Sequence, residues 1–384
     1  MKSSLKALAL YVHVPFCIAK CTYCDFYSVI GQEDSIPEYI TLIRKEIAHK
    51  VSSLDLSKHF IDTIFFGGGT PNLLAPNFFE QVLKDLLEMC SLGTNLEIGM
   101  EINPGEVNYE SLKAYRDIGV NRISIGMQSF QPHLLQFMSR IHTADQSLST
   151  YEAVRQAGFE NVSADLIFAI PGQTMDHWMA DLHKLTKLNP EHISTYSLTV
   201  EAGTALKRWV DAGHVEMLED TIDTGMYSWG RDFIESLEYQ NYEISNYAKK
   251  GFVCRHNLNY WSGSEYLGFG PSAHSYFKDR RHWNIGNLDL YMKSIRQHGH
   301  GEEDAEHIDE QTAKNEMILT RLRLSQGLDL IEYSTRFGEH LLSKKAEAVN
   351  KWQDQISITQ EFLSINREGW SLVDEISSDF MNIS

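Results

Sequence analysis

The sequence predicts an α/β fold, a partial TIM-like (β/α)6 barrel followed by a mainly α-helical C-terminal domain. In roughly the first 210 residues, short apolar runs rich in β-branched side chains alternate with amphipathic stretches of helical period. Beyond about residue 300 the pattern is mostly helical. Strand–helix units in series form parallel sheets. Six such units are too few to close an eight-stranded barrel, so we expect an open one.

The predicted strands and helices alternate regularly. The strand candidates are LALYVHV (8–14), DTIFFG (62–67), LEIGMEI (96–102), RISIGMQ (122–128), VSADLIFAI (162–170) and HISTYSLTV (192–200). The helix candidates between them include PEYITLIRKEIAHKV, PNFFEQVLKDLLEMC, NYESLKAYRDIG, TADQSLSTYEAVRQAG and TMDHWMADLHKLTKL. Several of these end at glycine or have acidic first turns, as helix ends do. In folds of this class the functional site lies at the carboxyl ends of the strands.

The chain divides into three predicted regions. Residues 1–235 form the barrel, 236–300 a connecting region, and 301–384 the helical C-terminal domain. The segment 256–277 is rich in aromatic residues, glycine and histidine and resembles a loop with short strands. Near the C-terminus we expect a small β-hairpin, with its turn at REGW (367–370), and then a final helix.

Composition limits the classes of function. The net charge of −18 argues against general nucleic-acid binding, because few phosphates could be neutralised. The sequence contains no run of 18 or more apolar residues, so we do not expect a membrane span. The apolar run near the N-terminus is short, and we interpret it as the first strand and not as an export signal. We therefore expect a cytoplasmic protein, in which the five cysteines stay free of disulfides.

Three of the cysteines are clustered in a pattern that indicates a metal site. Cys17, Cys21 and Cys24 have the spacing C-x3-C-x2-C. A structural zinc ion needs four protein ligands, so the fourth would come from His13, Cys90 or Cys254. In the alternative, a [4Fe–4S] cluster, three cysteines leave one iron open for a small molecule.

This cysteine spacing, followed by aromatic residues, resembles the radical S-adenosylmethionine (SAM) superfamily. There the open iron chelates the amino and carboxylate groups of SAM. The segment FFGGGTP (65–71) resembles the Gly-Gly-Glu-Pro-type motif of the same superfamily, although Gly-Thr replaces Glu. Consecutive glycines let the backbone approach a ligand closely. Polar residues at the strand ends suit the ribose hydroxyls and the sulfonium charge of SAM.

Further motifs narrow the resemblance to the oxygen-independent coproporphyrinogen III oxidase family. They are YVHVPFC, FFGGGTP, EINP, SIGMQSF, DLIFAIPGQT and HNLNYW, which together cover nearly the whole chain. Within this family the sequence is most similar to the heme chaperone branch, HemW. The resemblance implies cluster ligation by the three clustered cysteines. It also implies contacts with SAM by Tyr11, Tyr23, Gly68, Gly69, Thr70, Glu101, Gln128, Arg140 and Asp165.

One position separates the two branches of the family. The oxidases have a further cysteine two residues after the third, where this chain has Phe26, and a longer segment before the motif. The chaperone branch implies heme as a third cofactor and an acceptor protein, which could be membrane-associated. Heme needs an apolar slot and often an axial histidine, and His256 and His274 lie among aromatic residues. Hydrogen-bonded core histidines remain the alternative interpretation.

Three functions therefore stay open. The first is a heme chaperone with a cluster and SAM. The second is a radical enzyme that decarboxylates coproporphyrinogen propionates to vinyl groups. The third is a related radical enzyme that acts on another tetrapyrrole, such as a methyltransferase that opens heme.

Overall fold

The computed structural model describes residues 5–381. Its main feature is a 12-stranded sheet in the order β12-β11-β10-β9-β1-β2-β3-β4-β5-β6-β8-β7. The strands of this sheet are β1 Lys6–Val14, β2 His59–Gly68, β3 Leu92–Ile102, β4 Arg122–Gln128, β5 Val162–Phe168, β6 His192–Ser197, β7 Gln240–Glu243, β8 Asn246–Ala248, β9 Tyr266–Phe269, β10 His274–Phe277, β11 Arg280–Asn284 and β12 Glu302–His307.

Helices connect and cover these strands. They are α1 Ile36–Ser53, α2 Pro76–Met89, α3 Tyr109–Asp117, α4 Pro132–Phe137, α5 Ala144–Gln156, α6 Met175–Thr186, α7 Ala205–Asp211, α8 Asp220–Glu235, α9 Arg255–Trp261 and α10 Leu288–His298. The strands β1 to β6 are parallel neighbours, and each is followed by one or two helices. The predicted open (β/α)6 barrel is confirmed, and all six predicted strands are present.

The barrel stays open because other strands occupy both of its edges. The strand β9 runs parallel to β1, and β10, β11 and β12 continue the sheet in antiparallel fashion. At the other edge, β8 pairs with β6 in antiparallel orientation. The predicted connecting region, of which 256–277 was interpreted from the sequence as a loop with short strands, thus supplies five strands of the main sheet, β7 to β11, and β12 follows it at Glu302–His307.

Alternation along the parallel strands gives the sheet two different faces. In β4, for example, Ile123, Ile125 and Met127 are fully buried in the core that contains the helices. The residues between them, such as Arg122 and Ser124, lie on the opposite face, which we call the inner face. Polar side chains on neighbouring strands therefore meet inside the curve of the sheet.

The C-terminal region has a hydrophobic core of its own. Five helices surround a three-stranded sheet in the order β13-β15-β14. Its elements are α11 Glu310–Arg321, β13 Leu328–Asp329, α12 Leu330–Phe337, α13 Leu341–Lys344, α14 Ala346–Lys351, β14 Ile356–Ile358, β15 Phe362–Ile365 and α15 Val373–Phe380. The mainly helical prediction is confirmed, while the domain boundaries at 235 and 300 stay predictions.

The predicted position of the C-terminal hairpin turn is wrong. The strands β14 and β15 are joined through 359–361, and REGW follows β15. Gly369 instead lies against Gln355, where a Cβ would come within 2.4 Å of the Gln355 carbonyl oxygen. The final helix is present, and residues 382–384 of the predicted segment lie outside the described residues.

A buried carboxylate joins the strand extension to the barrel. Glu46 of α1 is fully buried and accepts hydrogen bonds from the Gly270 amide (2.9 Å), Asn284 Nδ2 (2.6 Å) and the Tyr291 hydroxyl (2.6 Å). Lys50 Nζ lies 3.5 Å from the same carboxylate. Buried charges are tolerated when their hydrogen-bonding capacity is satisfied, as it is here.

Replacing this carboxylate tests how strongly the extension is held. We expect Glu46→Ala to lower the free energy of unfolding by about 3–5 kcal/mol, because the buried lysine loses its counter-charge. Urea unfolding followed by circular dichroism measures the loss. Glu38→Ala is the control, since this exposed residue of α1 also pairs with α10, through Arg296 at 2.6 Å. Equal effects of the two substitutions would contradict the central role of Glu46.

Candidate functional site

The three clustered cysteines lie in the loop between β1 and α1. All three are free, half-buried thiols. The loop is closed at its base, where the Cys17 amide donates to the Val29 carbonyl (3.0 Å) and the Val29 amide to the Pro15 carbonyl (2.7 Å). Burial raises the pKa of Cys17, and it raises the pKa of Cys24 to about 11. Metal binding would therefore release protons from these thiols.

The cysteine loop is also fastened to segments that follow other strands of the barrel. The Thr22 amide donates to the Met138 carbonyl (3.3 Å), and the Leu206 amide donates to the Thr22 carbonyl (2.8 Å). Met138 follows β4 and Leu206 follows β6 along the chain. The loop thus lies across the carboxyl ends of the parallel strands, where the fold class predicts the site.

The glycines at the end of β2 allow close approach to this loop. A Cβ on Gly69 would lie 2.6 Å from the Phe16 carbonyl oxygen and 3.0 Å from Cys17 Sγ. Gly68 has a φ of +111°, and a Cβ there would collide with the His13 ring. Thr70 Oγ1 lies 3.6 Å from Cys17 Sγ. The glycine motif therefore lies directly against the first cysteine.

Arg140 reaches the second cysteine from the segment after β4. Its Nη1 donates to Cys21 Sγ (3.5 Å), while Nη2 donates to the Gly126 carbonyl (2.9 Å) and to Asn103 Oδ1 (2.8 Å). Tyr23 lies close to both Arg140 and Cys21, because each of them affects the pKa of its hydroxyl. Burial raises that pKa, the Arg140 charge opposes the rise, and Cys21 adds to it. The predicted residues Tyr23 and Arg140 are thus brought together with the cysteine loop.

Two predicted carboxylates share the inner face. Burial, and next the nearby charge of Asp165, raises the pKa of Glu101 to about 7. The Gly68 amide lies 3.3 Å from Glu101 Oε2 and favours the ionised form. Asp165 accepts hydrogen bonds from the hydroxyls of Ser124 (2.7 Å) and Ser163 (2.9 Å), while burial raises its pKa. A cation placed between these carboxylates would relieve their mutual repulsion.

Tyr11 of β1 lies near Glu101. Its hydroxyl lies 3.0 Å from His13 Nδ1, and His13 Nε2 lies 2.8 Å from the Tyr27 carbonyl. A carbonyl only accepts, so Nε2 carries the proton and Nδ1 accepts from Tyr11. Burial lowers the pKa of His13 to about 4, so the ring is neutral. Both nitrogens of His13 are occupied, which argues against this residue as a fourth zinc ligand.

Gln128 ends β4 in an unusual backbone conformation. Its φ of +62° is in the left-handed region, which non-glycine residues rarely adopt. Its Nε2 lies 2.8 Å from where a Cβ on Gly126 would be, so a side chain at that position would displace the end of the glutamine side chain. Strain of this kind is often found at functional sites. The side chain thus lies beside the Arg140 guanidinium, which contacts the same glycine.

The two predicted heme histidines have different surroundings. His256 is buried, its Nδ1 lies 2.8 Å from Thr63 Oγ1, and its Nε2 lies 2.9 Å from the Tyr260 hydroxyl. Burial lowers its pKa to about 3. His274, in contrast, is exposed on β10, and its ring stacks on that of Trp283 with centroids 5.8 Å apart. The structure does not bring these histidines together.

A four-iron cluster fits this thiol arrangement better than a zinc ion. Within residues 5–381, no three His, Cys, Asp or Glu side chains converge closely enough for a single metal ion. A four-iron cluster does not need its cysteines to converge on one ion, because each cysteine binds a separate iron. Cys254, another proposed zinc ligand, is buried beside Glu97 and Arg122 and away from the loop. The thiols with their hydrogen-bond donors fit the predicted cluster.

Several residues of the site were missed from the sequence. Asn103 links Arg140 to Thr70, since its Nδ2 donates to Thr70 Oγ1 at 3.0 Å. The signal was its position in the motif EINP, two residues after Glu101. Tyr196, at the end of β6, is 44% exposed although burial raises its pKa. It therefore faces the space inside the curved sheet, as its place two residues after Ser194 on the same strand could have indicated.

Comparison with known proteins identifies the family. Residues 11–185 match the model of the radical SAM superfamily. The heme chaperone HemW of Bacillus subtilis is 33% identical, over 86% of this chain and 87% of that protein. The chain belongs to the HemW family of radical SAM proteins. HemW of Haemophilus influenzae is 32% identical, over 96% of this chain and 95% of its own.

A mitochondrial protein and a solved structure are also similar to this HemW family member. The mitochondrial radical S-adenosyl methionine domain-containing protein 1 of Danio rerio is 31% identical, over 83% of this chain and 73% of that protein. The coproporphyrinogen III oxidase HemN from Escherichia coli superposes with a TM-score of 0.85 at 20% identity, covering 98% of this chain and 90% of its own. At that identity the match shows the shared fold.

The cysteine assignment can be tested directly. We expect Cys17→Ala, Cys21→Ala and Cys24→Ala each to lose the brown absorption of the reconstituted four-iron cluster, because each removes one ligand. Cys90→Ala and Cys254→Ala are matched controls and keep the cluster. Iron and sulfide analysis with visible spectra measures the content. Full cluster content in any of the first three variants would refute the assignment.

The raised pKa of Glu101 predicts a pH dependence of stability in the metal-free protein. Between about pH 4.5 and 7 the unfolded carboxyl ionises while the folded one keeps its proton, so stability falls as pH rises. The loss approaches about 3 kcal/mol above the folded pKa. Glu101→Gln removes the part of this decline that Glu101 causes and leaves the part that Glu243 causes, because burial raises the pKa of Glu243 to about 7 as well. Urea unfolding across that range measures the difference between the two proteins. The exposed Glu160→Gln is the control, and parallel profiles for wild type and Glu101→Gln would contradict the prediction.

Proposed function

We propose that the protein is a heme chaperone, which binds heme and a SAM-ligated [4Fe–4S] cluster and passes the heme to an acceptor protein. Residues 1–235 hold the cluster and SAM, 236–300 connect, and 301–384 form the C-terminal domain. We place the protein in the cytoplasm, with an acceptor that could be membrane-associated. The described part of the chain contains no helix long and apolar enough to cross a membrane.

Similarity to the HemW relatives carries this proposal. The Bacillus subtilis and Haemophilus influenzae proteins, both named heme chaperones, are similar over most of their length and most of this chain. Phe26 adds support from the sequence, because the oxidases have a cysteine at this position. Its side chain is 59% exposed at the edge of the cysteine loop. No thiol is therefore offered where the oxidases have their additional one.

The geometry supports the cluster and SAM as cofactors. Cys17, Cys21 and Cys24 would hold three irons, and the fourth would supply an open coordination position for SAM. The glycines after β2 leave their backbone amides and carbonyls uncovered by side chains. Glu101 and Asp165 offer carboxylates to a ribose and to a sulfonium charge. These residues bind and orient, and they lie toward the carboxyl ends of β1, β2, β3 and β5 or just after them.

An aromatic surface on the inner face supports heme binding. The register places Tyr266 of β9 beside Ala9 of β1, and Tyr276 of β10 beside Tyr266. Their rings are 6.4 Å apart, and the ring of Tyr260 lies 4.8 Å from that of Tyr266. His274, two residues before Tyr276 on β10, shares its face. The series therefore leads from the barrel interior to an exposed histidine.

Accessibility favours His274 over His256 as an axial ligand. An axial ligand offers a free ring nitrogen, and at His256 both nitrogens already have hydrogen-bond partners. Freeing one would leave the Thr63 or Tyr260 hydroxyl without its partner inside the core. His274 needs no such rearrangement. The neighbouring Trp283 ring adds apolar area for a porphyrin face.

The test is heme titration of anaerobically reconstituted wild type, His274→Ala and His256→Ala, followed by visible absorption. We expect wild type to bind heme stoichiometrically and His274→Ala to bind at least tenfold more weakly with a changed spectrum. His256→Ala lowers the unfolding midpoint in urea, since a buried hydrogen-bonding group is lost. The exposed His214→Ala is the control for surface histidines.

Two results would overturn this proposal. The first is the absence of heme binding by reconstituted wild type under reducing, anaerobic conditions. The second is formation of a vinyl product from coproporphyrinogen III in the presence of SAM and a reductant, which would favour the oxidase. Equal heme affinity in His274→Ala and wild type would refute the ligand assignment alone.

A further inference from the structure

One asparagine connects the environments of two cluster cysteines. Asn103 Oδ1 accepts from Arg140 Nη2 at 2.8 Å, and Asn103 Nδ2 donates to Thr70 Oγ1 at 3.0 Å. Beyond these partners, Arg140 Nη1 lies 3.5 Å from Cys21 Sγ and Thr70 Oγ1 lies 3.6 Å from Cys17 Sγ. A continuous hydrogen-bonded chain thus joins the two sulfur atoms through Asn103.

The direction of every hydrogen bond in this chain follows from Arg140. A guanidinium only donates, so the atom of Asn103 that faces it is the carbonyl oxygen. The amide nitrogen of Asn103 then faces Thr70 and donates to its hydroxyl oxygen. The Thr70 hydroxyl proton is consequently left to point at Cys17. Both sulfur atoms therefore receive a hydrogen bond whose orientation Asn103 determines.

The chain is held in place at both ends. The backbone amide of Asn103 donates to Asn72 Oδ1 at 3.1 Å. Arg140 Nη2 also donates to the Gly126 carbonyl at 2.9 Å. The third cysteine, Cys24, has a backbone donor at Phe26, which is independent of Asn103 and opposes the rise in its pKa that burial causes. Cys17 also has a side-chain hydrogen bond with Ser28, and Cys21 has one with Tyr23. Asn103 thus governs one of the side-chain donors to each of these two sulfurs.

We propose that Asn103 is a positioning residue that sets the reduction potential of the cluster by orienting the Arg140 and Thr70 donors toward Cys21 and Cys17. This inference rests on the cluster of the proposed function and goes beyond it. Reduction adds negative charge to a cluster, and hydrogen bonds to its sulfurs stabilise that charge. Loss of these donors therefore makes reduction harder.

Substitution with the isosteric aspartate separates orientation from shape. In Asn103→Asp one oxygen still accepts from Arg140, but the other now accepts from Thr70. The Thr70 proton turns toward the new carboxylate and leaves Cys17. Thr70→Val removes the same donor directly. The double variant isolates the effect of the added charge, because no hydroxyl is left to reorient.

The experiment is an anaerobic spectroelectrochemical titration of the reconstituted cluster, without SAM, in wild type, Asn103→Asp, Thr70→Val and the double variant. We expect each single substitution to shift the midpoint potential to a more negative value. The shift caused by Asn103→Asp is smaller in the Thr70→Val background than in wild type. Asn103→Ser, which is neutral and too short to span both partners, shifts the potential in the same direction. The exposed Asn350→Asp is the control for added charge.

Equal shifts from Asn103→Asp in the two backgrounds would overturn the proposal, as would an unchanged potential in Asn103→Ser. Heme titration of the same samples keeps the two hypotheses distinct. Normal heme binding with an unchanged potential refutes the role of Asn103 and leaves the chaperone function standing. Absence of a four-iron cluster in wild type overturns both.

Discussion

The alternation of side chains along the six parallel strands is the constraint on which the rest of the structure depends. Every second residue is apolar and packs against helices, so the residues between them must face the inside of the curved sheet. That inner face carries Glu101 and Ser124, which are register partners on β3 and β4, and Asp165 and Ser194, which are register partners on β5 and β6. A polar interior thus arises from the packing of the exterior.

The functional site results from a loop placed over this interior. Glycines at the end of β2 allow the cysteine loop to approach until Gly69 lies against Cys17, and the segments after β4 and β6 fasten it through Thr22. The same approach brings Thr70 and Arg140 within reach of two sulfurs. Cluster ligands, their hydrogen-bond donors and the carboxylates are therefore parts of one packed unit.

The sequence predicted what depends on local periodicity and spacing. The six parallel strands were found because each combines a β-branched apolar run with a following helical pattern, and the cysteine loop because its spacing is specific. The short strands β9 to β12 were not found individually, since four- to six-residue segments with Gly, Tyr and Arg have little alternation to detect. The hairpin turn was misplaced because REGW has turn residues but packs against Gln355.

Pairings between distant residues could not be predicted either. Nothing in the sequence shows that His256 uses both nitrogens in the core while His274 stays exposed, because that depends on how α9 and β10 pack. Asn103 was read as part of the motif EINP, yet its contacts with Arg140 and Thr70 join three separate loops. Such relations require the three-dimensional arrangement of strand ends.

Mössbauer spectroscopy of the anaerobically reconstituted protein, with and without SAM, tests the central claim most directly. The cluster is reconstituted with iron enriched in the Mössbauer-active isotope. If three cysteines hold a four-iron cluster and leave one iron open at the strand ends, one iron per cluster changes its spectrum when SAM is added and the other three stay as they were. The claim would be contradicted if the spectra of all four irons stayed unchanged when SAM is added, or if the preparation retained zinc in place of iron.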